Sequence, residues 1–452
     1  MWVKRKSLRW LNELSPFQLI AVYYLFAVTI SSILIALPVA HQPGVNMAFI
    51  DILFTAVSAV SVTGLTTVPI ADTFSTTGVF ILALVLQFGG IGVMTLGTMI
   101  WLVLGKKIGL KERRLIMTDQ NQTSFQGMVR MVQQIILVVL LIELIGFLTL
   151  GTYFLGYYEP GEAYLQGFFG TISAMTNGGF DITGQSLIPF KDDYFVQFIN
   201  MILIIAGAIG FPVLIEVKQY LLNNNQLQTI QFSLFAKLTS ITFFALIVLG
   251  TFVIILLEFN YFFSGKEWHE ILFYALFQSI TTRSGGLATM DINQFTEQTQ
   301  LFMSSLMFIG ASPSSVGGGI RTTTFALVLI FILTFARGGN QIRIFRREVH
   351  NQDLNKAVVV TLMALFLCFV AVMALSISET FTLNELIFEV TSAFGTVGLS
   401  LGITPGLTGF GKTVLMLLMF LGRIGILTFL FTFQNDKKKG KYHYPKERII
   451  IG

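Results

Sequence analysis

The chain has 452 residues, of which 54% are hydrophobic and 12% charged, about half the charged fraction of an ordinary soluble domain. That balance excludes a water-soluble globule and points to an integral membrane protein. The net charge of +5 is not spread along the chain: 23 of the 29 basic residues fall in five stretches. One cysteine, Cys368, and four histidines far apart in sequence exclude a disulfide scaffold and Cys/His zinc spacing.

A basic N-terminus (Lys4, Arg5, Lys6, Arg9) precedes an apolar run at 17–39, which is longer than the ~7–15 residues of a signal-peptide core and is expected to remain as a spanning helix. Runs of spanning length recur at 133–155, 238–257 and 357–378. After each comes an acidic or polar segment and a shorter amphipathic run, at 46–60, 162–175, 268–281 and 382–394. At 1.5 Å per residue these reach only about two thirds of the way across a bilayer, so they are expected to enter and turn back. Returning runs follow at 78–104, 195–222, 301–336 and 413–433, of which only the third is expected to be broken.

The other basic stretches are the loop at 106–130, Lys218 with Lys237, the loop at 337–356, and the tail from Lys437. The positive-inside rule makes all five stretches cytoplasmic, with both termini inside. The acids of the intervening segments, from Asp51 to Glu389, then form an outer face that attracts cations. The expected organisation is a cytoplasmic N-terminus (1–16), repeat 1 (17–105), a cytoplasmic loop (106–132), repeat 2 (133–222), a cytoplasmic loop (223–237), repeat 3 (238–336), a cytoplasmic loop (337–356), repeat 4 (357–434) and a cytoplasmic tail (435–452). The fold class is therefore an all-α integral membrane protein with four tandem helix–pore loop–helix repeats around a pseudo-fourfold central pore.

Each turn carries a related signature ending in glycine and Leu or Phe. The four end in Val62-Thr63-Gly64-Leu65, Asn177-Gly178-Gly179-Phe180, Ser284-Gly285-Gly286-Leu287 and Thr396-Val397-Gly398-Leu399, and their last glycines lie 115, 107 and 112 residues apart. Non-helical backbone at membrane depth is tolerated where it lines a water-filled cavity, and glycine lets successive carbonyls be aimed inward. Four such segments around one axis offer the ring of oxygens a dehydrated alkali cation needs. No carboxylate occurs within a signature, which favours monovalent cations over Ca²⁺.

A second repeat follows in the returning runs: Gly89-Gly90-Ile91-Gly92, Gly207-Ala208-Ile209-Gly210, Gly310-Ala311-Ser312-Pro313 and Gly422-Arg423-Ile424-Gly425. Small residues there allow close helix packing around a shared axis. In repeat 3 the stretch Gly310, Ala311, Ser312, Pro313, Ser314, Ser315, Val316, Gly317, Gly318, Gly319, continuing to Thr322, cannot support a regular helix. Its flanks are each too short to span, so the break is expected inside the membrane. Arg321 follows these glycines and Arg423 sits at the matching level of repeat 4, either holding the loop through its carbonyls, opposing cations, or reaching the inner interface. Arg283 is expected to brace the third signature from behind.

These signatures, the fourfold layout and the interrupted third returning helix resemble the Trk/Ktr/HKT superfamily of potassium and sodium transporters, above all its bacterial KtrB-type membrane subunits, over residues 15–435. The resemblance implies a selectivity filter marked by Gly64, Gly179, Gly286 and Gly398, where K⁺ binds, with Na⁺ as a second conducted ion. It implies a gate at 310–322 beneath that filter, and it associates glycine at position 64 with potassium preference. Only Thr396-Val397-Gly398 looks like the Thr-Val-Gly core of potassium channels. It further implies a homodimer in a bacterial cell membrane, seated on a cytosolic ring of nucleotide-binding RCK subunits, with the nucleotide on that partner and no cofactor beyond K⁺ on this chain. The tail at 437–452 is a candidate for the dimer interface or for anionic lipid.

No G-x-G-x-x-G at a strand–helix junction and no Walker-type lysine loop is present. An enzyme is not expected, because Glu143 and Glu216 alone supply no paired-acid chemistry within the spans. An alternating-access transporter is the competing class, but its repeats are commonly inverted whereas these four quarters share one orientation.

Overall fold

The computed structural model describes residues 14–92, 127–222, 232–339 and 341–432, with isolated positions between 95 and 117 and at 445 and 447. The basic N-terminus, most of the 106–130 loop, residues 223–231 and the tail beyond 432, including its expected dimer or lipid contacts, lie outside the described residues.

Four long helices open the repeats: α1 (Pro16–Ile35), α4 (Met128–Phe154), α8 (Leu234–Glu258) and α12 (Asn351–Ser378). Ser15 starts α1 with a capping box to Gln18 and Pro16 at the first turn, and Ser233 caps α8. These helices are long and apolar enough to cross a membrane, and only 28–39% of each spanning window is buried. Leu25, Phe26, Leu141, Phe252 and Phe366 stand exposed on them, a surface stable in lipid and not in water.

Four half-length helices follow: α2 (Phe49–Ser61), α5 (Pro160–Met175), α9 (Trp268–Thr281) and α13 (Leu383–Gly395). Their C-terminal turns are buried, and none has the length to span. The returning helices are α3 (Thr76–Ile91), α6 (Tyr194–Ala208) continued by α7 (Phe211–Leu221), α10 (Glu297–Ile309) continued after a loop by α11 (Thr322–Ala336), and α14 (Gly409–Ile424) continued by α15 (Ile426–Thr432).

The sequence expectation of three unbroken returning helices is corrected here. The chain bends by 107° between α6 and α7 and by 98° between α14 and α15. The hinges are Gly210 (φ 103°) and Gly425 (φ 89°), and α3 likewise ends at Gly92 (φ 94°). Apolar composition alone reads through these points, because glycine is common in membrane helices. What breaks them is a backbone conformation that L-residues rarely adopt. Repeat 3 differs in degree: after Gly310 (φ 64°) it inserts a whole loop before α11 begins.

Packing closes the four quarters into a ring. The returning helix of each repeat lies against the half helix of the next: α3 on α5, α6 on α9, α10 on α13, and α14 back onto α2. The glycines make this possible. A Cβ on Gly90 would lie 2.8 Å from the Cβ of Thr176, and one on Gly395 would collide with the carbonyl oxygen of Met307. The long helices stand outside this ring.

Several acids that the sequence places on an attractive outer face hold helix ends instead. Glu258, fully buried at the end of α8, accepts from the Thr296 N–H (2.9 Å) and hydroxyl (2.7 Å) at the start of α10. Glu379 does the same for Thr408 at the start of α14, its Oε1 lying 2.6 Å from the hydroxyl. In repeat 2, Asp193 caps α6 and accepts from the Tyr157 hydroxyl at 2.7 Å, which pushes that phenol up to about 12. The 337–356 segment holds a two-residue hairpin, Arg343–Ile344 against Arg347–Glu348.

Candidate functional site

The four half helices end in the same way. Two residues before each signature glycine a non-glycine residue adopts positive φ: Val62 (57°), Asn177 (54°), Ser284 (86°) and Thr396 (49°). The glycines follow with positive φ at Gly64 (94°), Gly179 (65°), Gly286 (71°) and Gly398 (97°). For β-branched Val62 and Thr396 the left-handed conformation costs roughly 1–3 kcal/mol, and such strain persists where the surroundings over-determine it.

Those surroundings are hydrogen bonds that turn the signature N–H groups backward into the half helices. Thr63 N donates to Ser58 O (2.8 Å), Gly178 N to Ser173 O (2.7 Å), Gly285 N to Thr281 O (2.7 Å) and Val397 N to Ser392 O (2.9 Å). Gly64 N and Gly398 N donate to the hydroxyls of Ser58 and Ser392, each at 3.1 Å. With its amide turned so that nitrogen and oxygen exchange places, the Asn177 side chain donates to the carbonyls of Ile204 (3.2 Å) and Ala174 (2.8 Å), the orientation that satisfies its hydrogen bonding and ties it to α6. With the N–H groups engaged behind, the carbonyls are left over. Among the described residues no donor is paired with the carbonyl oxygens of Thr63, Gly64, Gly178, Gly179, Gly285, Gly286, Val397 or Gly398.

These segments meet in a closed ring. A Cβ on Gly64 would lie 2.5 Å from Gly178 O and 3.1 Å from Gly179 Cα, and one on Gly179 would lie 2.9 Å from Gly286 Cα. A Cβ on Gly286 would strike Val397 O, and one on Gly398 would strike Thr63 O. The order 64, 179, 286, 398 and back to 64 admits no side chain at any of the four positions. Ser284 Oγ donates to Thr396 O at 2.5 Å and fastens repeat 3 to repeat 4. Each half helix also directs its C-terminal end toward the ring, where the helix dipole contributes about half a negative charge. Unclaimed carbonyls and four negative helix ends favour a cation.

Under the ring lies the repeat-3 loop, residues 310–321. Every member from Gly310 to Ile320 is buried except Pro313, which is half-buried. Gly317 packs against the Ser284 hydroxyl and Gly318 against the Thr396 side chain, where a Cβ would lie 2.7 Å away. On the other side the loop is stitched to the hinge of repeat 2: Ser312 N donates to Ala208 O (3.0 Å), Val316 N to Gly207 O (3.1 Å), and Phe211 N to Ser314 O (2.9 Å). A buried loop of this kind is tolerable because its backbone groups find partners in neighbouring broken helices.

Arginines fix the loop from two directions. Arg423 donates through Nη1 to Val316 O and through Nη2 to Gly89 O and, at 3.2 Å, to Gly90 O, so one guanidinium joins the loop to repeats 1 and 4. Arg321 donates through Nη1 to Ser312 O at 3.2 Å and to Gly317 O within the loop. Arg283, fully buried, donates through Nη2 to Leu306 O on α10, behind the third signature.

The four signatures named from the sequence thus meet at one ring; of the ten loop residues Gly317 and Gly318 pack against it, Ser312, Ser314 and Val316 face the repeat-2 hinge, and Arg423 holds the loop at Val316. Sequence reasoning missed the serines. Ser58, Ser173 and Ser392 stand six residues before their signature glycines, each followed by alanine, and this Ser-Ala pair was the available signal. Repeat 3 breaks that register: Ser279 instead donates to Ile247 O on α8 at 2.8 Å.

Comparison with known proteins bears on this arrangement. A family model described as "TrkH: Cation transport protein" matches residues 16–443. The chain is 61% identical over 443 residues to Ktr system potassium uptake protein D of Bacillus subtilis, covering 98% of each chain. It is 34% identical to Ktr system potassium uptake protein B of the same organism, covering 99% of each, and 32% identical to the potassium/sodium uptake protein NtpJ of Enterococcus hirae over the whole length of both. Its fold resembles the potassium transporter TrkH from Vibrio parahaemolyticus, with a TM-score of 0.71 at 18% identity, covering 91% of this chain and 84% of that one. With a matched model spanning nearly the whole sequence and relatives of this identity and coverage, the chain belongs to the TrkH family of cation transport proteins.

Proposed function

We propose that this chain is the ion-translocating membrane subunit of a potassium uptake system, passing K⁺ through a filter formed by the signatures at 62–64, 177–179, 284–286 and 396–398 and lined by the carbonyls of their last two residues. The observation that carries this reading is the closed ring of four glycines whose flanking carbonyls are left unclaimed. The names of the relatives, Ktr potassium uptake proteins D and B, support K⁺ as the cargo, and that of the potassium/sodium uptake protein supports Na⁺ as a second one. The loop at 310–321, held by Arg423 and Arg321 directly beneath the ring, acts as the gate.

The finer reading adds the setting. The chain works as a homodimer in a bacterial cell membrane with both termini in the cytoplasm, and a cytosolic RCK-type subunit carrying a nucleotide biases the gate. The relatives' designation as parts of a Ktr system supports a second component.

The test is Rb⁺ and K⁺ uptake in cells lacking their own potassium systems, expressing this chain with and without a cosynthesised RCK-type subunit, at several Na⁺ concentrations. Saturable K⁺ uptake that rises with the partner is the expected result. Absence of K⁺ uptake from cells that hold both chains in the membrane would sink the proposal.

A further inference from the structure

The half helix of repeat 4 carries a buried acid that the ring and the gate do not use. Glu389 in α13 is fully buried. Its Oε1 accepts from the Thr404 hydroxyl and, at 3.2 Å, from the Ser400 hydroxyl. Both donors belong to the turn that follows Gly398. That turn is organised around the same groups: Ser400 Oγ lies 3.1 Å from Thr404 Oγ1 and accepts from Gly402 N at 2.9 Å. Glu389 is therefore the hub of the segment leaving the fourth signature.

Its placement on α13 matters. Ser392, which receives the N–H groups of Val397 and Gly398, stands three residues further along, on the same face of the helix. The residues entering the ring and the residues leaving it are both tied to this one helix face, on either side of the Val397 and Gly398 carbonyls. The other repeats solve the exit differently. In repeat 2 the turn holds itself through its own acid, Asp181, whose Oδ2 accepts from Thr183 Oγ1 (2.8 Å) and Ser186 N (2.9 Å). Asp291 does so in repeat 3, accepting from Asn293 N at 3.0 Å. The positions matching Glu389 are Thr55, Gly170 and Phe277.

We infer that Glu389 is a positioning residue for ion selection, clamping the turn at Ser400 and Thr404 to α13 so that the carbonyls of Val397 and Gly398 are fixed at a spacing that prefers K⁺ to Na⁺. The inference rests on the conduction reading given above. Glu389 does not touch the ion; it acts through hydrogen bonds accepted by one oxygen, which a glutamine can also accept.

Three variants test it, with K⁺ and Na⁺ uptake affinities, maximal rate and membrane content measured for each. Glu389→Ala is expected to lower the K⁺/Na⁺ affinity ratio about tenfold, equivalent to ~1.4 kcal/mol, with membrane content and maximal rate near those of the parent. Glu389→Gln is expected to restore most of the ratio. Thr404→Val removes a donor while leaving the acid, is expected to move the ratio in the same direction, and carries the test if the alanine variant does not assemble. An unchanged ratio in Thr404→Val, in a protein whose parent discriminates K⁺ from Na⁺, overturns the inference and leaves the conduction reading standing. A parent that takes up neither ion overturns both.

Discussion

At the scale of single residues the ring is defined by what cannot be added to it. Gly64 has φ 94° and a Cβ there would come within 2.5 Å of Gly178 O, so Gly64→Ser must displace either its own backbone or that carbonyl. Weaker discrimination is the expected outcome, with the K⁺/Na⁺ affinity ratio falling about tenfold. Identical affinities for both ions in mutant and parent would count against the filter. Arg423 tests the gate: its bonds to Val316, Gly89 and Gly90 are charge-assisted, each worth about 1.5–3 kcal/mol. Arg423→Gln is expected to loosen the loop and raise ⁸⁶Rb⁺ efflux from loaded vesicles. Efflux equal to the parent's would show that the guanidinium does not hold the gate.

At the scale of elements the broken helices carry the argument. The loop at 310–321 fills the space beneath Ser284 and Thr396 and is anchored to the repeat-2 hinge at Gly207 and Ala208. Deleting residues 311–319 is expected to raise cation flux, with unchanged or lower flux in a protein of parental size-exclusion profile as the contrary result. Gly210 makes a different point, because its φ of 103° and the approach of Pro313 O, 2.9 Å from where a Cβ would lie, leave no room for alanine. Gly210→Ala is expected to cost roughly 1–3 kcal/mol, read as a lower unfolding temperature in detergent. Such hinges were only half legible in the sequence. The second repeat of small residues was visible and its close packing follows from composition, whereas the bends depend on backbone angles that composition does not encode.

At the scale of the molecule, four covalently successive repeats must close, and the seam falls between repeat 4 and repeat 1. There α14 packs on α2, and Lys412 Nζ lies 2.7 Å from Asp51 Oδ1, with side chains only 11% and 17% exposed. Removing one member leaves the other nearly buried and unpaired, so Lys412→Met is expected to destabilise by ~3 kcal/mol. Adding Asp51→Asn should recover part of that loss. A double-mutant loss no smaller than the single's would mean the seam does not depend on the pair. The same seam brings Gly398 against Thr63 and completes the ring, so its loosening should also lower the K⁺/Na⁺ ratio.

The sequence by itself determined the membrane class, the fourfold count, the half-length helices and the four glycines, because length, hydropathy and a recurring motif are local or periodic properties. It also located the break in repeat 3, since three glycines and a proline preclude helix wherever they fall. Only the tertiary structure decided which signature meets which around the ring, and that Arg423 reaches across to Val316 and Gly89. Those are contacts between residues a hundred or more positions apart. They depend on how the helices pack, and no window along the chain contains both partners.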